Sequence, residues 1–381
     1  MEEAMVVIVG AGPSGLAISA CLNRLNIENI VLEREDCYAS LWKKRTYDRV
    51  KLHIAKQFCE LPYMSYSSNA PTFVPKKGFI SYIDDYVSYF GIKPRYHSSV
   101  ESVSYDGECK KWRIDVKNTF SNVNEVYYAR FFIVATGENS EGVIPSVAGL
   151  DGFRGEYMHA NQYVNARKFT GKDVLVVGCG NSGMEIAYDL SEFNARTSIV
   201  ARSPVHVVSK EIVYIGMQLI KFLSVKVVDK ILMKLCKLKD GDISKYGLQR
   251  PKEGPFHLKC TTGRSPTIDV GCLKKIKQGK VKVFPSISSI SGNSVGFTNG
   301  DVTKFDAIIF ATGYKSTVKY WLKDGESLFG DDGMPKRNLE NKWKGENGLY
   351  AIGFGRNGLL AISRDAKNIA KDIKLILSHQ N

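Results

Sequence analysis

The stretch Val6-Val7-Ile8-Val9-Gly10-Ala11-Gly12-Pro13-Ser14-Gly15 constrains this chain more than any other. A β-branched run enters Gly-x-Gly-x-x-Gly, and Leu16, Ala17, Ala20, Leu22 and Leu25 continue at helical spacing. Gly10 permits a tight turn off the strand. Gly12 lets a pyrophosphate approach the backbone, and Gly15 lets the new helix pack on the sheet. The pyrophosphate then rests on free N–H groups at the positive end of that helix. The next apolar run, Ile30-Val31-Leu32, ends at Glu33. That is about 20 residues on, where a carboxylate meets a ribose hydroxyl. Gly10, Ala11, Gly12, Pro13, Ser14, Gly15 and Glu33 are therefore candidate cofactor-binding residues.

The pattern occurs twice. Lys172–Val177 reads as a strand, Gly178-Cys179-Gly180-Asn181-Ser182-Gly183 as the turn, and Met184, Ile186, Ala187 and Leu190 as the helix. The position matching Glu33 is Ala201, and Arg202 follows it. The acid for a free ribose hydroxyl is missing, and a guanidinium, which holds a 2′-phosphate by paired charged hydrogen bonds, stands beside the gap. The first turn thus suits the adenosine of FAD, and the second suits NADPH over NADH. Each half also carries an apolar strand ending in Ala-Thr-Gly, at 135–137 and 311–313. The repetition predicts an α/β chain with two Rossmann-like dinucleotide-binding domains whose sites face each other, the NADPH domain inserted into the FAD domain. The boundaries read as 1–150 and 315–381 for the FAD domain and 151–314 for the NADPH domain.

Between the motifs, apolar spacing predicts a helix over 79–90 and a meander of strands at 100–105, 112–116 and 126–129. Asn299-Gly300 turns a hairpin. A strand over 349–354 and a helix over 363–377 close the pattern. Residues 204–262 interrupt the second domain. Within them Val228, Ile231, Leu232, Leu235 and Leu238 repeat at helical spacing, with Lys226, Lys230, Lys234 and Lys237 along another face. A basic amphipathic helix can rest on a membrane surface. A flanking helix with its apolar face on the core is the expectation here, and the rest of the insert reads as loop.

The formal net charge is +14, from 53 basic and 39 acidic residues. That suits anionic ligands, but no basic arm or helix-turn-helix pattern points to nucleic acid. The eight cysteines include no Cys-x-x-Cys pair and no zinc spacing, so neither a disulfide framework nor a metal site is expected. No apolar run reaches membrane-spanning length, and Met1-Glu2-Glu3-Ala4 is not a signal peptide. A soluble, intracellular protein is expected.

Phe153-Arg154-Gly155-Glu156-Tyr157-Met158-His159-Ala160-Asn161-Gln162-Tyr163 fits Phe-x-Gly-x-x-x-His-x-x-x-Tyr. This resembles the identifying motif of class B flavin monooxygenases. Val164 stands where Baeyer–Villiger monooxygenases carry Trp-Pro. Further segments resemble the plant YUCCA flavin monooxygenases, among them Tyr38-Ala39-Ser40-Leu41-Trp42, Lys56-Gln57-Phe58-Cys59-Glu60-Leu61-Pro62, Ala135-Thr136-Gly137-Glu138-Asn139 and Ile268-Asp269-Val270-Gly271. The resemblance covers nearly the whole chain. It implies FAD, NADPH and dioxygen as reactants, and a 2-oxo acid, indole-3-pyruvate, oxidised to indole-3-acetate with loss of carbon dioxide through a flavin C4a-peroxide. It also implies cytoplasmic location, with peripheral contact at the endoplasmic reticulum surface. Trp42 is a candidate cofactor contact; Asn139 and His53 are candidate polar groups at the flavin face. His53 stands where animal flavin monooxygenases carry an asparagine. Arg356-Asn357-Gly358-Leu359 replaces the family's Arg-Arg-Gly-Leu, and Ala361-Ile362 replaces a glycine-containing pair. The competing readings are a disulfide reductase, which lacks its cysteine pair here, an N- or S-hydroxylase, and a non-catalytic flavoprotein.

Overall fold

β1 (Glu2–Val9) is buried from Val6 onward and carries only β-branched side chains there, as a strand covered on both faces requires. The turn after it feeds α1 (Pro13–Asn23), buried from Ser14 to Leu22. β2 (Asn29–Leu32) returns parallel to β1, with Val9 opposite Leu32. A computed structural model describes every residue except Arg337, Arg356, Asn357, Gln380 and Asn381. The substitution noted at Arg356-Asn357 therefore lies outside the described residues. The chain divides into two compact units. The first comprises Met1–Arg45, Ala55–Glu141 and Tyr314–Asn381; the second comprises Thr46–Ile54 and Gly142–Gly313. The short segment 46–54, which the sequence reading leaves in the first domain, packs with the second unit.

In the first unit, α2 (Ser40–Lys44) and α3 (Lys76–Tyr89) precede a meander of β3 (Ser98–Asp106), β4 (Lys111–Asn118) and β5 (Asn124–Val134). The sheet runs β2-β1-β5-β4-β3. The sequence reads as two strands around Arg130, but β5 is one strand of 11 residues. Its first half pairs antiparallel with β4, and its last three residues pair parallel with Leu349–Ala351. β1 runs along the opposite edge of nearly all of it. The change of partner hides the continuity in the sequence pattern. The helix Gly358–Ser378 starts five residues before Ser363, because Ala361 and Ile362 are themselves buried. It packs on α1.

The second unit holds a sheet that is parallel throughout. Its strands are β6 (Glu156–His159), β7 (Asp173–Val177), β8 (Arg196–Val200), β9 (Val281–Phe284) and β10 (Ala307–Phe310), in the order β9-β8-β7-β10-β6. α4 (Asn181–Glu192) follows β7. An antiparallel meander, Ile287–Ser291, Ser294–Phe297 and Val302–Lys304, turns where Gly300 takes a positive φ of 90°.

The insert is more ordered than its sequence implies. It contains α5 (Lys210–Leu219), α6 (Val225–Asp240) and α7 (Pro255–Thr262). The strands Val207–Ser209 and Thr267–Asp269 pair at its base. Val228, Leu232 and Cys236 of α6 pack with Val208, Ile212, Val213 and Ile268 in a cluster of their own. Leu238, expected in that apolar stripe, is instead 83% exposed. α7 falls in the stretch read as loop. The Asp229 carboxylate of α6 accepts the Phe256 and His257 N–H groups at 2.9 Å each, so the acid at this helix start comes from another helix. A short helix, α8 (Cys272–Lys277), leads back to β9. Among the described residues no helix is long and apolar enough to cross a membrane.

Candidate functional site

Both glycine turns sit at the carboxyl end of a central parallel strand, between neighbours whose chain order diverges. That crevice is where open α/β sheets bind ligands. In the first unit β1 lies between β2 and β5; in the second β7 lies between β8 and β10. The backbone is the same at both. Gly10 and Gly178 take φ values of +104° and +116°. A Cβ on Gly10 would meet the Ala135 carbonyl at 2.8 Å, and one on Gly178 the Ala311 carbonyl at 2.4 Å. The two Ala-Thr-Gly segments therefore press on the first glycine of each turn. A Cβ on Gly15 would lie 1.8 Å from the Gly10 oxygen, and one on Gly183 1.9 Å from the Gly178 oxygen. Close approach of helix to turn is what excludes a side chain there.

The middle glycines differ. A Cβ on Gly12 or Gly180 would meet nothing within 4 Å. Their φ values, −71° and −82°, suit any residue. The protein itself does not require glycine at these two places, whereas a ligand pressed on the backbone would. Behind each lies the first turn of a helix, whose N–H groups have no partner within the helix. Both turns therefore fit a dinucleotide pyrophosphate.

Glu33 closes the first turn. It is 6% exposed, and its two oxygens accept the Ala11 N–H at 2.8 Å and the Glu35 N–H at 3.0 Å. Burial raises its carboxyl above the ordinary value, with the two backbone donors opposing that rise. Trp42 stands on α2, which is tied to the turn through the Ala39 N–H and the Ala11 carbonyl at 2.9 Å. Its indole lies 4.4 Å from the Phe79 ring of α3. Asn139 is exposed beyond the first Ala-Thr-Gly.

In the second turn Asn181 accepts the Ile268 N–H at 2.7 Å, and the Thr267 hydroxyl donates to the Cys179 carbonyl at 2.9 Å. Burial pushes the Cys179 thiol up to about 12, so it stays protonated. Arg202 is exposed just past β8. Sequence reasoning missed Arg264. Its guanidinium donates to the Pro204 carbonyl, two residues beyond Arg202, and its charge is felt at Cys179. Only the fold brings this second guanidinium back, since the whole insert separates the two.

The motif Phe153 to Tyr163 ties the second unit together. Gly155 has no room for a Cβ, which would lie 2.4 Å from the Asp306 oxygen. The His159 Nδ1 accepts the Asn161 N–H at 3.2 Å, leaving Nε2–H to donate to the Gly313 carbonyl at 3.0 Å. The Tyr163 hydroxyl donates to Asp189 of α4 at 2.6 Å. The other Asp189 oxygen pairs with Arg49 at 3.3 Å. His53 lies in the same segment as Arg49, with Nε2 3.1 Å from a Glu185 oxygen on α4. The other Glu185 oxygen is buried with no hydrogen-bond partner among the described residues. His53 and Asn139 thus belong to different units, and His53 is engaged by α4.

A doubled dinucleotide fold with these turns defines a protein with two dinucleotide-binding domains. The chain belongs to the flavin-binding monooxygenase-like family, whose model matches residues 3–327, and its curated relatives include YUCCA proteins. It is 51% identical over 377 residues to the probable indole-3-pyruvate monooxygenase YUCCA10 of Arabidopsis thaliana, covering 99% of this chain and 98% of that one. It is 44% identical over 383 residues to the indole-3-pyruvate monooxygenase YUCCA4 of Oryza sativa subsp. japonica, covering 96% and 86%. Among solved structures, a flavin-containing monooxygenase from Stenotrophomonas maltophilia superposes with a TM-score of 0.74 at 18% identity, covering 99% and 100%. Cyclohexanone monooxygenase from Rhodococcus sp. Phi1 bound to NADP+ gives 0.76 at 14%, covering 99% and 85%. The chain shares their fold and is an FAD-dependent monooxygenase by family.

Proposed function

We propose that this protein is an NADPH- and dioxygen-dependent monooxygenase that converts indole-3-pyruvate to indole-3-acetate. The balanced reaction consumes one 2-oxo acid, one dioxygen, one NADPH and one proton. It yields the shortened acid, carbon dioxide, NADP+ and water. The observation that carries the reading is the pair of matching turns with open middle glycines, in a chain half identical to relatives named for this substrate.

Bound FAD supplies the redox and oxygen chemistry. The chain's residues bind and orient. The Gly10–Gly15 turn takes the FAD pyrophosphate on its N–H groups, and Glu33 accepts from ribose hydroxyls through lone pairs its two backbone donors leave free. Trp42 borders the cofactor from its short helix. The Gly178–Gly183 turn takes the NADPH pyrophosphate, and Arg202 holds the 2′-phosphate with Arg264 beside it. Asn139 offers a polar side chain at the flavin. His53 acts through Glu185 on the helix that carries the NADPH turn, which makes it a positioning residue. The reading includes action in the cytoplasm, with peripheral contact at the endoplasmic reticulum.

The test is NADPH consumption by flavin-loaded protein with and without indole-3-pyruvate. Indole-3-pyruvate should be consumed one-for-one with NADPH, with indole-3-acetate formed in equal amount. Turnover only with amines or sulfides would replace the decarboxylating reading with a hydroxylating one.

A further inference from the structure

We propose that the α5–α6 hairpin is a docking element for an anionic lipid bilayer surface. Inward, α6 is accounted for by its cluster with α5 and the strand pair beneath it. Outward, Lys226, Lys230, Lys234 and Lys237 recur at i, i+4, i+8 and i+11, so they share one side of the helix. All four are exposed, and none is ion-paired among the described residues. The two acids of α6 are engaged by other partners. Asp229 is 4% exposed on the start of α7, and Asp240 pairs with Lys277 at 3.6 Å. This side of the helix is therefore cationic, and Asp240, three residues beyond Lys237, is already paired with Lys277.

Apolar side chains adjoin the lysines. Val227 and Leu238 on the flank of the same side are 44% and 83% exposed. At the tip between the helices Phe222 is 84% exposed and Leu223 40%. The tip is fixed in shape: the Phe222 and Leu223 N–H groups both donate to the Leu219 carbonyl, at 3.0 and 2.9 Å. An aromatic ring is thus held in water by an ordered turn beside a row of unpaired ammonium groups. A bilayer interface satisfies both halves. The ring and aliphatic groups enter below the headgroups, and the lysine stems lie along the surface with their charges on anionic phosphates. An acidic protein would match the lysines but leave the ring and Leu238 unexplained. The net charge of +14 favours approach to the same surface.

The experiment is co-sedimentation of the full-length, flavin-loaded protein with vesicles. Phosphatidylcholine alone is compared with phosphatidylcholine carrying about one-third phosphatidylserine. Binding is expected only to the anionic vesicles, with release as salt rises from about 0.1 M to about 1 M. The double variant K230E/K234E should partition at least about ten-fold less, since each lysine near such a surface contributes about five-fold. Phe222→Ser should partition about three-fold less or lower at the same salt. Both variants should keep the wild-type NADPH oxidation rate and melting temperature, because these side chains are exposed and hold no hydrogen bond or ion pair among the described residues. Failure of the wild type to sediment with anionic vesicles overturns the proposal, as does wild-type binding by both variants. Lysine-dependent binding to polyglutamate without vesicle binding overturns it too, in favour of an acidic protein partner.

Discussion

At the scale of single residues, the glycines separate what the fold needs from what the ligand needs. Gly15→Ala and Gly183→Ala force a Cβ into a backbone oxygen below 2 Å, and should cost about 3 kcal/mol or more of stability. Gly12→Ala and Gly180→Ala place their Cβ in open space. They should melt within a few degrees of the wild type, at about 1 kcal/mol or less. Gly12→Ala should lose flavin, and Gly180→Ala should raise the KM for NADPH at least about ten-fold. Thermal melts beside flavin absorbance and steady-state kinetics separate the two classes. A Gly180→Ala protein with unchanged NADPH kinetics contradicts the assignment of the second turn. Arg202→Ala should raise the KM for NADPH about 10- to 100-fold, the worth of a charged hydrogen-bonded pair, and leave NADH nearly untouched. Arg264→Ala should show the same selectivity with a smaller effect. Equal effects on both nucleotides would remove the phosphate role from either arginine.

At the scale of elements, the insert hangs on a titrating group. His206, 6% exposed at its base, donates from Nε2 to the Glu253 carbonyl at 2.6 Å. Burial holds its pKa below the ordinary 6.5; Arg250 and Arg264 reinforce that, while the carbonyl and Asp229 oppose it. The folded ring thus refuses a proton that the unfolded chain accepts. Its contribution is complete above pH 6.5 and is lost as pH falls through 6.5 toward the depressed folded value. Amide protection factors over α5–α7, taken relative to the intrinsic exchange rate at each pH, should therefore fall on acidification. In His206→Asn, which keeps a donor but does not titrate, that fall should be smaller. Elements also show what a sequence hides. The turns, their strands and their helices are legible because glycine spacing and β-branched runs are local. Three features are not: α7 begins on the Asp229 carboxylate of another helix, β5 changes partners at mid-length, and Arg49 and His53 are held by α4, more than a hundred positions away. Each depends on a contact distant in sequence, and periodicity carries no record of it.

At the scale of the whole molecule, the duplication explains why one chain holds two nucleotide sites of unequal chemistry. On the proposed reading Glu33 after one turn and Arg202 after the other make that difference, and both are readable at matched offsets in the sequence. Their consequence belongs to the intact chain, because a redox reaction between two nucleotides needs both units. Neither unit alone should turn over, whereas the flavin-loaded chain should. The most direct measurement supplies flavin-loaded protein with NADPH, indole-3-pyruvate and dioxygen labelled with oxygen-18, and weighs the indole-3-acetate by mass spectrometry. The account predicts one labelled oxygen atom per acid molecule and one NADPH consumed for each. Unlabelled acid, or NADPH oxidised without any acid formed, would contradict it.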